Sequence, residues 1–280
     1  GACSFIGGGA CNTINGEGSV IAGGVRNSGS SCSVVGGGIE NFASALVTTI
    51  AGGQRNTASA NYATIGGGFC NNVSSCQSTI AGGRDNFIEG ACSFIGGGCC
   101  SSACGALSAI AGGNFNITTA TATNASIGGG WGNCVTGVGS AVAGGNTNKA
   151  RGNYSTIGGG LINETCLNVS FVGGGQENLA NGVYATIAGG YRNIASLYSF
   201  IGSGQDNTSS AAYTVIGGGA SNTASGACSF IGGGSLNTTV NNNNIVVGGS
   251  QNTGSGNCSV IVGGWKNSLH PNNSLSVIVG

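Results

Sequence analysis

A β-branched aliphatic residue recurs along the chain about every 15 residues, and each is followed by a small residue, Gly-Gly, two variable positions and Asn. The nineteen anchors are Ile6, Ile21, Val35, Ile50, Ile65, Ile80, Ile95, Ile110, Ile127, Val142, Ile157, Val172, Ile187, Ile201, Ile216, Ile231, Val246, Ile261 and Ile278. The second Gly is present in all 18 complete copies, the first in all but the copy with Ser203, and the Asn in all but the copy with Ser101. Such columns demand one shared backbone geometry. Helix is excluded, because the pattern has no 3.6-residue period and each mid-helix Gly costs about 1 kcal/mol. A run such as Ser155-Thr156-Ile157 predicts a short strand with Ser and Ile on one face and the middle residue on the other, after which Gly-Gly turns the chain.

One such unit cannot bury its anchor alone. The units are therefore expected to stack as an all-β, single-chain β-solenoid, each coil bonding to its neighbours. Asn12, Asn27, Asn41, Asn56, Asn71, Asn86, Asn133, Asn148, Asn178, Asn193, Asn222, Asn252 and Asn267 form a structural ladder at the turn, tolerating left-handed backbone and bonding side chain to side chain. The Cys spacing bears on the size of a coil. Cys3 with Cys32, Cys70 with Cys100, and Cys228 with Cys258 occupy matched columns, with looser pairs Cys76 with Cys104 and Cys134 with Cys166. Coils lie about 4.8 Å apart, within reach of a disulfide, whereas two coils span about 9.6 Å. These pairs predict two units, about 30 residues, per coil and about nine coils, and the alternation Gly7, Ala22, Gly36, Ala51, Gly66, Ala81 points the same way. With one unit per coil instead, pairs 30 apart are coincidence or links between chains. Cys11, Cys92 and Cys99 remain, unpaired or inter-chain.

Tyr154-Ser155-Thr156-Ile157-Gly158-Gly159-Gly160 and Asn222-Thr223-Ala224-Ser225-Gly226 resemble the β-roll head repeats of trimeric autotransporter adhesins. The resemblance implies an extracellular, rod-like, surface-displayed solenoid. The chain opens and closes inside repeat units, so residues 1–280 read as one continuous array, a window of a longer repetitive chain with any signal peptide or cap outside it.

Composition removes most other classes. Seven basic and seven acidic residues give no net charge, which argues against nucleic acid and anionic lipid as partners. No apolar run approaches the roughly 18 residues of a membrane helix, so no membrane insertion is expected. The acids lie singly along the chain and His270 is the sole histidine, so no catalytic group, metal site or cofactor is expected and the chain is not read as an enzyme. No Gly-Lys-Ser/Thr follows the glycines, and two Asp cannot line a calcium roll. Cys99-Cys100 with Cys104, Cys92 and Cys70 suggests a thiolate metal site, but stacked disulfides account for more of these residues. Arg55 and Asp85, 30 residues apart, are expected to pair across coils.

Thirteen cysteines imply an oxidising compartment, hence secretion or cell-surface display. Ten Asn-x-Ser/Thr sequons occur, of which Asn116, Asn163, Asn207 and Asn237 belong to the ladder, leaving Asn72, Asn124, Asn153, Asn168, Asn257 and Asn272 as glycosylation candidates. Alternation sends Phe5, Phe94, Phe171, Phe200 and Phe230 outward, beside Tyr62, Tyr154, Tyr184, Tyr198 and Tyr213. The converse, with the aromatics as interior, reverses every strand. With so little charge, an aromatic exterior calls for lateral packing or a glycan coat. The expected function is a structural subunit of an extracellular fibre, joined to copies of itself end to end, with lateral packing as a further mode of self-assembly. The alternatives are a stalk or adhesin module of surface or tail-fibre type presenting a binding tip outside this window, and an ice-binding solenoid using Thr49, Thr64 and Thr79.

Overall fold

The computed structural model describes residues 2–280. They form two compact units, residues 2–145 and 146–280. Each unit is a parallel β-solenoid without helix. In the first, one ladder of two-residue strands runs from Phe5–Ile6 to Ala141–Val142, and a second runs from Thr13–Ile14 to Cys134–Val135. In the second, the corresponding ladders run from Thr156–Ile157 to Val277–Ile278 and from Lys149–Ala150 to Ser268–Leu269. Between the two strands of a coil, the residue four after the anchor forms an isolated parallel bridge, as in Ala10 to Val25 and Leu161 to Gln176.

The register gives one unit per coil, not two. Phe5 pairs with Val20 and Ile6 with Ile21, and Thr156 pairs with Phe171. The expectation of about 30 residues per coil and nine coils is therefore overturned, and with it the basis for intrachain disulfides. Cys3 and Cys32, Cys70 and Cys100, and Cys228 and Cys258 are two coils apart, beyond the roughly 4.4–6.8 Å Cα separation that a disulfide allows. Cys76 and Cys104 stand in different columns, as do Cys134, inside a strand, and Cys166, just after one. Cys11, Cys92 and Cys99 are free thiols, as are Cys3, Cys32, Cys70, Cys76, Cys100, Cys104, Cys166, Cys228 and Cys258.

The Gly/Ala alternation does not set the winding. A Cβ on Gly36 would lie 2.3 Å from the carbonyl oxygen of Ala51 in the next coil, and one on Gly66 would lie 2.3 Å from that of Ala81. The same closeness recurs where the next coil carries Gly, as from Gly158 to the Gly173 carbonyl oxygen at 2.3 Å, so the neighbouring carbonyl closes these positions to a side chain whichever residue stands opposite.

Short coils and long coils keep the ladder intact. Val20 pairs with Val34 across a 14-residue step, and Ala109 with Ser126 across a 17-residue step. The two extra residues of the long coil enter the corner at 119–124, where Ala122 N–H donates to the Thr119 carbonyl.

The core is narrow and matched. Anchors such as Ile50, Ile80, Ile187 and Ile231 are fully buried, with Ser19, Ser78 and Ser155 two residues earlier facing inward beside them. From the second ladder, small inward residues such as Ala43, Ala58, Ala180 and Ala195 meet them. Large anchors against small partners fill a cross-section only two short strands wide.

The ladder Asn residues bond mainly to backbone. Asn71 Nδ2 donates to the Gly67 carbonyl of its own coil at 3.0 Å and to Gly83 of the next at 2.9 Å, while its Oδ1 accepts the N–H of Asn86 at 3.1 Å. Side-chain pairs accompany this in places, as between Asn193 and Asn178 at 3.1 Å. Left-handed backbone falls on the residue before Asn, not on Asn itself: Arg26, Glu40, Arg55 and Ile162 have φ of 55, 57, 58 and 55°. A second left-handed column lies three residues before the anchor, including Val47, Tyr62 and Tyr184 at 56, 62 and 57°. Non-glycine residues pay about 1–2 kcal/mol for this conformation. It is held because the same N–H closes the bridge to the preceding coil, as from Arg26 to Ala10 at 2.9 Å and from Tyr62 to Leu46 at 3.0 Å.

Candidate functional surface

Strand alternation with a buried anchor forces the residue before the anchor outward, and the left-handed corner swings the residue three before it outward as well. Both columns carry aromatics. Phe5, Phe94, Phe171, Phe200 and Phe230 are exposed, and so are Tyr62, Tyr154, Tyr184, Tyr198 and Tyr213, with Tyr154 at 66%. The aromatic exterior is thus the arrangement found, and the converse is excluded by the buried anchors. In the second unit, Tyr184, Tyr198 and Tyr213 occupy one corner column in successive coils and stack face to face, with centroids 5.1 and 4.9 Å apart. The stack leaves the ring edges and hydroxyls to solvent. In the first unit, Phe115 meets Trp131 edge-on at 5.9 Å. Lys266 Nζ lies 4.3 Å from the Trp265 ring centroid, and Trp265 is 66% exposed.

Thr49, Thr64 and Thr79 pair in succession and give way to Phe94. The second ladder holds a longer run, Thr208, Thr223, Thr238 and Thr253, which pair one to the next. Its signal in the sequence lies one residue after Asn207, Asn222, Asn237 and Asn252, outside the anchor column.

The charged column pairs at single-coil spacing. Glu40 sits between Arg26 at 2.9 Å and Arg55 at 2.8 Å, so Arg55 pairs with Glu40 and not with Asp85. The Arg55 hydrogen bond, then the Arg26 charge, hold the Glu40 carboxyl below its usual range. Arg192 pairs with Asp206 at 2.8 Å and Arg151 with Glu164 at 3.1 Å.

One thiol cluster stands out. Arg84 and Cys99 bridge in adjacent coils, and Asp85 and Cys100 follow them in the left-handed corner, with φ of 55 and 58°. Successive strand residues ordinarily point to opposite faces. The corner instead brings Cys100 Sγ to 2.8 Å from Cys99 Sγ. Arg84 Nη2 donates to Cys99 Sγ at 3.4 Å, and Arg84 Nε lies 3.3 Å from Asp85 Oδ2. Hydrogen bonds from Cys100 and then Arg84 hold the Cys99 thiol below its usual range, while the bond to Cys99 and burial raise that of Cys100. Cys104 lies in another column, beside Ser102 at 3.2 Å. Cys92 Sγ donates to Gln77 Oε1 at 3.4 Å. Burial, then the neighbouring Glu164, push the Cys166 thiol up to about 11.

The sequons divide by position. Asn124, Asn168, Asn257 and Asn272 are exposed at corners, Asn153 is half-buried, and Asn72 is half-buried within the strand Asn72–Val73. Asn116, Asn163, Asn207 and Asn237 are fully buried in the ladder. Among the described residues, no helix is long and apolar enough to cross a membrane. No protein-family model and no curated protein sequence matches the chain.

Proposed function

We propose that the chain is a structural, non-enzymatic subunit of an extracellular fibre, assembling with copies of itself. The observation that carries this reading is the in-register exposure of Phe171, Phe200 and Phe230 beside the stacked Tyr184, Tyr198 and Tyr213. With 5% charged residues, little else on the chain opposes association, and burying apolar surface gains about 25 cal/mol per Å². Lateral packing through this stripe is the assembly contact. End-to-end growth is supported by the recurring strand register, since each coil offers its successor the same row of backbone donors and acceptors. The exposed sequons Asn124, Asn168, Asn257 and Asn272 and the likeness to adhesin head repeats support an extracellular setting and a glycan coat on faces not used for packing.

Negative-stain microscopy of purified chain tests it. Filaments that shorten or separate when Tyr198 and Phe200 are both changed to Ser are expected. Discrete, unassociated particles under all conditions would favour the stalk or adhesin alternative instead. Glycopeptide mapping of secreted material tests the corner sequons.

The column Thr208, Thr223, Thr238, Thr253 supports a second reading, contact with ordered water in the manner of an ice-binding face. Thermal hysteresis that vanishes in Thr223→Tyr would support it.

A further inference from the structure

We propose that Cys99, Cys100 and Asp85 form a surface site for one thiophilic divalent cation of the zinc or cadmium type. The two Sγ atoms and a carboxylate oxygen of Asp85 all lie within 4.8 Å of one another. Tetrahedral zinc with metal–sulfur bonds of about 2.3 Å sets sulfur atoms about 3.8 Å apart. The pair stands at 2.8 Å, so binding requires the two sulfur atoms to move apart by about 1 Å. Two thiol protons leave to solvent as the cation enters, and water completes the coordination.

The fold supplies this site and keeps it available. Left-handed backbone at Cys100 turns its side chain onto the same side as Cys99, and the N–H of Cys100 is tied to the Arg84 carbonyl at 2.9 Å, so the pair is held by the ladder. Asp85 occupies the same corner one coil earlier and therefore faces the pair. Oxidation does not readily consume these thiols, because adjacent Cα atoms are about 3.8 Å apart, short of the roughly 4.4 Å at which disulfides begin.

Arg84 is the group that an incoming cation must displace. Its guanidinium spans Cys99 and Asp85, at 3.4 and 3.3 Å, so a positive charge already rests between two of the three ligands. That side chain is 63% exposed and free to swing away when a cation takes its place.

The test is a cadmium titration of the full chain, kept reduced with a phosphine, following the thiolate-to-metal charge-transfer absorbance. One tight equivalent is expected in the native sequence. It is expected to weaken at least about 100-fold in Cys99→Ser and in Cys100→Ser, about tenfold in Asp85→Asn, and not at all in Cys258→Ser. Arg84→Ala, which removes the competing charge, is expected to tighten it several-fold; a merely structural arginine gives no such gain. Circular dichroism identifies any variant that has lost its fold, and Arg84→Ala then decides alone. Retention of the tight equivalent in folded Cys99→Ser, or unchanged or weaker binding in Arg84→Ala, overturns the proposal.

Discussion

The side-chain amide of Asn222 donates to the carbonyl of Gly234 in the next coil at 3.0 Å, and its Oδ1 accepts the N–H of Asn237 at 3.0 Å. A third bond runs to Gly218 at 3.0 Å. One buried amide thus ties the glycine turn of its own coil to that of the next. Leaving a buried donor or acceptor unsatisfied costs about 1–3 kcal/mol. We expect Asn222→Ala to lower unfolding free energy by about 3 kcal/mol or more, read by urea denaturation.

Ser101 offers the opposite experiment. It stands where the ladder calls for Asn, and its Oγ accepts the N–H of Asn116 at 3.4 Å, against 3.0–3.1 Å for most Asn acceptors. Ser101→Asn restores a donor toward the turn at Gly97 and Gly113. A gain of about 1 kcal/mol is expected in the same assay.

The two glycines of the turn are not equivalent. Gly53 has φ +89°, and a Cβ there would sit 2.2 Å from the Gly68 carbonyl oxygen and 2.7 Å from Asn56 Nδ2. Around Gly52 a Cβ meets nothing within 4 Å. Gly53→Ala is expected to cost more than about 3 kcal/mol, and Gly52→Ala to be neutral or to gain about 0.4–1 kcal/mol. Thermal melting of the two variants gives the comparison. The same asymmetry explains why Ser203 is tolerated at the first position while the second is Gly in every complete copy.

Single-coil spacing changes what reductant does. With Cys228 and Cys258 two coils apart, melting is expected to be the same with and without reductant, and non-reducing peptide maps to lack a Cys228–Cys258 link within one chain. Cys166, held near 11, is expected to be alkylated more slowly at neutral pH than exposed Cys228, with the difference closing as pH approaches 11. Isotope-coded alkylation followed by mass spectrometry reads both rates.

Glu40 is expected to titrate below an ordinary glutamate. Its folded-state pKa is depressed, so the stability it contributes is complete above the unfolded value and is lost as pH falls through the folded one. Carboxyl carbon NMR follows Glu40 directly, and Arg55→Gln is expected to move its midpoint back up.

The fold class was legible because anchors and glycines repeat where packing is strictest. Ile50, Ile65 and Ile80 fill one buried position in successive coils, and no helix accommodates Gly52-Gly53 beside them. Coil size was not legible. Two periodic features, the Cys3 to Cys32 spacing and the Gly36/Ala51 alternation, repeat at about twice the coil length without setting the winding: the thiols recur in one corner column two coils apart, and the carbonyl of the next coil closes a Gly position whether Ala or Gly stands opposite. The left-handed corners were hidden because Val47, Tyr62 and Arg55 share no chemistry. Backbone bonding selects their conformation, and side-chain identity is left free. The Cys99-Cys100 pair is visible in the sequence, but the approach of Arg84 and Asp85 to it appears only once the register is fixed.

The long coils carry a further consequence. In a stack of near-identical layers, a slip by one whole layer costs little, since every anchor finds another anchor. Ala109 to Ser126 in the first unit and Val260 to Val277 in the second each span 17 residues, and their wider corners differ from those of the common coil. They are expected to work as index marks in a nearly uniform scale, giving a folding chain a place from which its layers are counted. Trimming either corner to the common length should leave stability almost intact and yet broaden the population of misaligned folds.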